Sequence, residues 1–403
     1  MQLKRTIITG VALALCAGFS GLASYSGSAS AQDIKIAHVY DKTGPLEAYA
    51  KQSSIGFAMG LEYATGGKME LLGRKIVVIE KDTQSKPDVG KAQLAAAYGD
   101  DKADIAVGPV NSGVALAMLP VAEEYKKVLL VEPAVADSIT GDKWNRYIFR
   151  TARNSTQDAV AGAATLKGDV TVAPLAQDYA VGRDGIKAFK DALAKANPKA
   201  KIVHEEYAPQ ATTDFTAPAQ RIFEVLKDKP GRKVLAIIWA GAHPLVKIME
   251  MKPERYGIEL APGGNILPVM KGWKDYAGVE GAIYYYYGFP KNKMNDWLVK
   301  EHEKRYGQPP DFFTAGGFAA AMAVTEGIRN AGSTNTEKLI AAMEGMSFET
   351  PKGNMTFRKE DHQAMQNMFH FRIKKAQKGE WDLLELVREI PASEMPVPVQ
   401  NKR

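Results

Sequence analysis

Nucleophiles, bases and metal ligands are sparse in this chain. The six histidines, His38, His204, His243, His302, His362 and His370, are scattered at spacings unsuited to a shared metal ion. The one cysteine is Cys16. No G-x-S-x-G elbow, H-E-x-x-H pair or P-loop occurs, and no G-x-G-x-x-G follows the first apolar run. Serine hydrolysis, zinc chemistry and phosphoryl transfer are left without candidates. What the chain does have is a set of loops directly after Val- and Ile-rich runs. They are Thr43-Gly44-Pro45, Gly108 to Gly113, Glu132 to Ala136, Gln177-Asp178-Tyr179 and Gly241-Ala242-His243-Pro244. In open α/β sheets, ligands bind in the crevice at the carboxyl ends of the strands. Ser112 opens a helical stretch, so its hydroxyl either caps that helix or joins nearby N–H groups in holding an anion such as a carboxylate. His243 belongs with the crevice by position; the other histidines read as packing or surface residues.

A second unusual feature is Ala282-Ile283-Tyr284-Tyr285-Tyr286-Tyr287-Gly288. On a strand, Tyr285 and Tyr287 would share one face and Tyr284 and Tyr286 the other. Two readings stand: a strand at a domain crossover buried on both sides, or one tyrosine pair lining a cleft and offering ring faces and hydroxyls to an aromatic ligand.

Positioning such loops requires strands. Ile34 to Val39, Lys75 to Glu80, Asp104 to Val107 and Val128 to Val131 read as buried strands, separated by helical stretches at Gln52 to Ala64, Val89 to Tyr98 and Val114 to Tyr125. The alternation restarts with strands at Val170 to Ala173, Lys201 to Glu205 and Val234 to Trp239, and helices at Gly182 to Ala196, Asp214 to Lys227 and Pro244 to Met251. A third portion adds a strand over Ala282 to Tyr287, helices over Met294 to Tyr306 and Thr314 to Ala331, and a late strand over Phe369 to Ile373. Alternation at this spacing predicts βαβ units in an α/β fold, and two successive sets predict two domains. At 403 residues, 45% hydrophobic and 24% charged, the chain is long enough for two cores and too apolar for a disordered one. Its charges are interspersed, with no basic stripe of the kind that binds nucleic acid.

The first 31 residues read as an export signal: Lys4 and Arg5, an apolar run from Ile7 to Phe19, then Ala29-Ser30-Ala31. The run is too short to span a membrane, and Leu15 stands where a lipoprotein site at Cys16 would need a small residue. Cleavage after Ala31 takes 31 residues from 403, leaving 372, and the loss of two basic groups lowers the charge from +6 to +4. The product is cysteine-free, which excludes thiol catalysis, thiolate metal sites and disulfides, and predicts a soluble periplasmic protein.

Four segments resemble the periplasmic binding proteins of branched-chain amino acid ABC transporters. These are Ile34-Lys35-Ile36-Ala37 through Thr43-Gly44-Pro45-Leu46; Gly108 to Ser112; Glu132-Pro133-Ala134 with Phe149-Arg150-Thr151; and Val234 to Gly241. The resemblance implies two Rossmann-like lobes with parallel sheets, joined by three crossovers and closing on a ligand by a hinge. It places residues 32–153 and 288–351 in lobe 1, 154–287 and 352–391 in lobe 2, and 392–403 in a tail. It also implies a monomer that is no enzyme, uses no cofactor or metal, and hands a small organic acid to an inner-membrane ABC permease.

In the leucine/isoleucine/valine-binding proteins, a serine in one crevice loop and an alanine–threonine pair in the next hold the ligand carboxylate. Ser112 and Ala134 match, while Ala136 replaces the threonine. Leu245 stands where an acidic residue pairs with the ligand ammonium, Ser155 replaces an aspartate, and Tyr179 is kept. Burying an unpaired ammonium costs several kcal/mol. The departures therefore imply an aromatic carboxylate of the benzoate or hydroxycinnamate type, with an aliphatic amino acid as the alternative. Tyr49, Trp239, Tyr285 or Tyr287, and Phe313 fall at matching pocket positions, and His243 joins them from the strand-end rule.

Overall fold

A computed structural model describes residues 32–401, and the expected export signal lies outside the described residues. The Val- and Ile-rich runs form parallel strands. In the first half β1 (Ile34–Tyr40), α1 (Glu47–Thr65), β2 (Glu70–Leu71), β3 (Arg74–Asp82), α2 (Pro87–Gly99), β4 (Ile105–Val107), α3 (Ser112–Tyr125), β5 (Leu129–Val131) and β6 (Ile148–Arg150) alternate. They build a sheet ordered β2-β3-β1-β4-β5-β6, parallel from β3 onward. β4, β5 and β6 are buried at every position, as strands covered by helices on both faces must be.

α4 (Ser155–Ala163), β7 (Val170–Gln177), α5 (Ala180–Ala196), β8 (Lys201–Ile202), β9 (Glu206–Ala208), α6 (Thr216–Leu226), β10 (Arg232–Ile238), α7 (Leu245–Glu250), β11 (Ile258–Pro262) and α8 (Leu267–Lys271) follow. Their sheet runs β11-β10-β7-β8, with β9 also beside β7, and every pair is parallel. The single strand expected over Lys201 to Glu205 is broken. Ile202 pairs with Val172 and Glu206 with Leu175, so three residues oppose two. The break lies opposite Pro174, which has no N–H to give a ladder.

The last third contributes β12 (Glu280–Ile283), α9 (Lys293–Tyr306), α10 (Phe312–Ala331), α11 (Thr336–Met343), β13 (Ser347–Thr350), β14 (Gly353–Phe357), β15 (Ala364–Met365), β16 (Met368–Ile373) and β17 (Leu384–Ile390). An antiparallel sheet β12-β16-β17 joins the second lobe through a Gly263–Ala282 bridge, and β13-β14-β15 joins the first through Arg150–Gln363. Residues 353–365, expected in lobe 2, thus sit with the first sheet. The Arg150 N–H donates to the His362 carbonyl at 3.0 Å, and the His362 ring stacks on Phe149 at 3.9 Å. The fold is two Rossmann-like α/β lobes that the chain crosses between three times, at 151–154, 284–292 and 366–367.

α1 and α10 cross in the first lobe at a glycine seam. A Cβ on Gly56 would lie 1.9 Å from the Thr314 carbonyl oxygen, and one on Gly317 2.0 Å from that of Ser53. This close approach sets Tyr49, in the first turn of α1, against Phe313 in the first turn of α10, with ring centroids 4.4 Å apart. Asp311 caps α10, its Oδ1 accepting from the Phe313 and Thr314 N–H groups at 3.0 and 3.2 Å.

Burial outweighs those bonds and pushes the Asp311 carboxyl up from 3.8 to about 7. As pH rises, the unfolded chain loses this proton first, so stability falls between about pH 4 and 7. Asp311→Asn keeps the accepting oxygen and removes the titration. It is expected to stabilise the protein at pH 8 by roughly 2–4 kcal/mol and to change little at pH 4, read from urea unfolding at both values.

Candidate ligand-binding site

A cavity of about 150 Å³ lies between the lobes. The first lobe contributes Leu46, Tyr49, Val110, Val135, Phe312 and Phe313 from helix starts and strand-end loops. The second contributes Tyr179, Trp239 and Ala240 at the carboxyl ends of β7 and β10. The Trp239 ring stands edge-on to Phe215 at 5.0 Å. The turn that follows is braced by Gln177, whose amide exchanges hydrogen bonds with both the N–H and the carbonyl of Ala240, at 3.0 and 2.9 Å.

The described lining residues include two full charges, Arg153 and Asp158. Arg153 stands in the first crossing, just before Asn154, whose capping box with Gln157 starts α4. Its Nε donates to Asp158 Oδ1 at 3.0 Å, and its guanidinium lies 4.6 Å from the Tyr284 ring centre. Asp158 is one helical turn into α4. Its side chain lines the cavity and keeps 40% of its surface accessible. Burial pushes this carboxyl up, opposed by Arg153.

Behind Arg153, Lys352 Nζ lies 4.9 Å from the Tyr284 ring centre and donates to Gln366 Oε1 at 2.7 Å. Gln366 Nε2 donates to the Thr151 carbonyl at 3.1 Å. Burial lowers the Lys352 ammonium to about 8, and burial raises the nearby Glu132 carboxyl. Glu132 Oε2 accepts from Thr151 Oγ1 at 2.9 Å.

The lining encloses a cavity, and the Ser155 hydroxyl in it is spent on the Val135 carbonyl at 3.1 Å. Among the described residues no group of three or more His, Cys, Asp or Glu could hold a metal ion. No described helix is long and apolar enough to cross a membrane. A family model for periplasmic binding proteins matches residues 33–379. The chain belongs to the periplasmic binding protein family.

This binding protein is 26% identical to the Leu/Ile/Val-binding protein BraC3 of Rhizobium johnstonii, over 81% of this chain and 87% of that one. It is also 26% identical to the leucine-, isoleucine-, valine-, threonine- and alanine-binding protein of Pseudomonas aeruginosa, over 84% and 88%. A crystal structure of an ABC-type branched-chain amino acid transporter from Rhodopseudomonas palustris CGA009 is 63% identical, with a TM-score of 0.81 over 92% of this chain and 100% of that one. A solute binding protein of an ABC transporter from Rhodopseudomonas palustris BisB5, in complex with 3,4-dihydroxybenzoic acid, is 27% identical, with a TM-score of 0.78 over 91% and 99%. The binding protein is therefore a receptor that supplies a small molecule to an ABC transporter, not an enzyme.

Of the ten residues singled out in the sequence, Tyr49, Tyr179, Trp239 and Phe313 line the cavity of the binding protein. Ser112, Ala134 and Ala136 lie just behind its wall and are wholly buried. Ser112 Oγ accepts from the N–H groups of Val135 and Ala136, both at 3.2 Å, so it ties one strand-end loop to the next. The Ala136 carbonyl accepts from Arg150 Nη1 at 2.6 Å. His243 packs on Trp273, and its Nδ1 accepts from the Leu245 N–H at 3.2 Å at the start of α7. Desolvation lowers this imidazole to about 3, so it stays neutral.

The tyrosine run departs from expectation. β12 stops at Ile283, where its pairing with Phe369 ends, so the alternation of faces does not extend to Tyr284–Tyr287. Tyr285 donates to Asn295 Oδ1 at 2.7 Å and Tyr287 to the Trp381 carbonyl at 3.2 Å, both away from the cavity. Tyr284 is the one that reaches it. Arg153 and Asp158 were not singled out at all. Arg153 follows the end of β6 by three residues, and the strand-end rule would have found it.

Proposed function

We propose that this receptor captures a monocyclic aromatic carboxylate of the benzoate or hydroxycinnamate type. The observation that carries this is a ring-sized cavity with aromatic walls and a single arginine. A cavity of about 150 Å³ has room for one aromatic ring, and Tyr49, Phe312, Phe313, Trp239 and Tyr284 offer ring faces and edges. The Nε of Arg153 is engaged by Asp158, and in this reading its Nη groups take the ligand carboxylate. The 3,4-dihydroxybenzoate complex of the BisB5 protein supports the same class. Capture by lobe 1 precedes closure of lobe 2. We assign residues 32–153 and 288–365 to lobe 1 and 154–287 and 366–391 to lobe 2, with export to the periplasm after cleavage at Ala31.

A second reading, an aliphatic amino acid, is favoured by Asp158, whose open carboxylate could pair with a ligand ammonium beside Arg153. A thermal-shift comparison of benzoate, 4-hydroxybenzoate, cinnamate and coumarate with leucine and valine separates the two. Ligand at about a hundred times its Kd adds roughly 2.7 kcal/mol, a shift of several degrees. Stabilisation by leucine or valine alone would end the aromatic reading.

A further inference from the structure

Tyr49 was expected at a pocket position. Its ring does line the cavity, but its hydroxyl is spent elsewhere. The O–H donates to Asn265 Oδ1 at 2.8 Å and the oxygen accepts from the Gly241 N–H at 2.6 Å. Both partners belong to the second lobe, whereas Tyr49 stands on α1 of the first. A phenol has one proton to give, so a ligand is left with the ring face.

Each half of this contact is held in place by its own lobe. Phe313 packs on the Tyr49 ring, and the glycine seam of α1 and α10 fixes the distance between them. In the second lobe, Asn265 is 1% exposed, and its Oδ1 also accepts from the Ile266 N–H at 2.8 Å. Gly241 has a φ of +85°, a conformation that favours glycine, and it follows the Ala240 turn that Gln177 clamps on both sides. A donor and an acceptor thus wait on one wall for a hydroxyl carried by the other. A second tie spans the lobes: Asp184 Oδ2, on α5, accepts from the Ser138 N–H at 3.1 Å and Ser138 Oγ at 3.0 Å.

We propose that the Tyr49 hydroxyl is a latch for the closed state, a positioning residue that acts with the Ser138–Asp184 tie and contributes affinity by slowing reopening. The role does not depend on which ligand class the cavity takes. Opening the cleft must break both ties, so they share one equilibrium. A hydrogen bond of ordinary net strength shifts such an equilibrium by up to about tenfold.

The test is amide hydrogen exchange at Gly241 in the ligand-free full chain, with small-angle scattering alongside. Y49F keeps the ring and its packing but removes the hydroxyl. It is expected to raise Gly241 exchange about tenfold and to enlarge the radius of gyration, with the melting temperature nearly unchanged. D184A does not touch Tyr49, yet it should also raise Gly241 exchange severalfold if both ties hold one closed state. Unchanged exchange in Y49F overturns the latch. A D184A protein with wild-type exchange at Gly241 also overturns it, because the Tyr49 bond is then only local.

Discussion

Arg153→Gln is expected to weaken 4-hydroxybenzoate binding by about a hundredfold or more, measured by isothermal titration calorimetry. Removing one partner of a desolvated charge pair costs about 2–5 kcal/mol, and about 1.4 kcal/mol is a tenfold change in affinity. The loss is amplified because Asp158, then without its cation, faces the cavity as an uncompensated negative charge. Asp158→Asn separates the two ligand classes by sign. An aromatic carboxylate is expected to bind as well or better, since a like charge is gone and the amide can still accept from Arg153. An amino acid would lose the partner of its ammonium group, and its affinity would drop by tenfold or more. A drop for 4-hydroxybenzoate in Asp158→Asn would contradict the proposed placement of its carboxylate.

Gly317→Ala is expected to cost roughly 2–4 kcal/mol of stability, at the upper end for a single added methyl. The added carbon meets backbone, the Ser53 carbonyl at 2.0 Å, and backbone cannot swing aside as a side-chain tip can. The helices must separate, and Gly56→Ala should do the same from the other side, against the Thr314 carbonyl. Because these two helices carry Tyr49 and Phe313 in their first turns, the folded fraction of either variant should also bind more weakly. Urea unfolding and calorimetry on the same samples give both quantities. Gly379→Ala is the control, since a Cβ there meets nothing within 4 Å. A Gly317→Ala protein with the wild-type unfolding midpoint would show the seam to be looser than these distances require.

The lobes were legible in the sequence because buried parallel strands need continuous Val and Ile runs and the loops at their ends need Gly and Pro. Tyr179 was legible because it stands in a strand-end loop, whereas Tyr49, Trp239 and Phe313 were legible through the family resemblance, which sets pocket residues at those positions. The Tyr284–Tyr287 run was not, since its alternation holds only while a neighbouring strand pairs with it, and that partner is supplied from about 90 residues away. Arg153 was passed over because two arginines three residues apart look alike in sequence. Burial separates them: Arg150 is fully enclosed and bonded to Gln363, Ala136 and Thr140, while Arg153 opens on the cavity. The expected carboxylate loop at Ser112 shows the converse. A serine at a helix start bonds whichever N–H groups come within reach, and here those belong to the neighbouring loop.

The Tyr284 ring begins the second crossing, takes Arg153 of the first on its π system, and takes Lys352, which holds Gln366 of the third. Three strands of chain are thereby pinned to one flat disc. A bundle pinned at a point swivels more easily than it slides, so any opening of the lobes is expected to be a rotation about this pivot. Fewer open arrangements then compete with the closed one, and less of the ligand's binding energy goes into freezing the lobes in register.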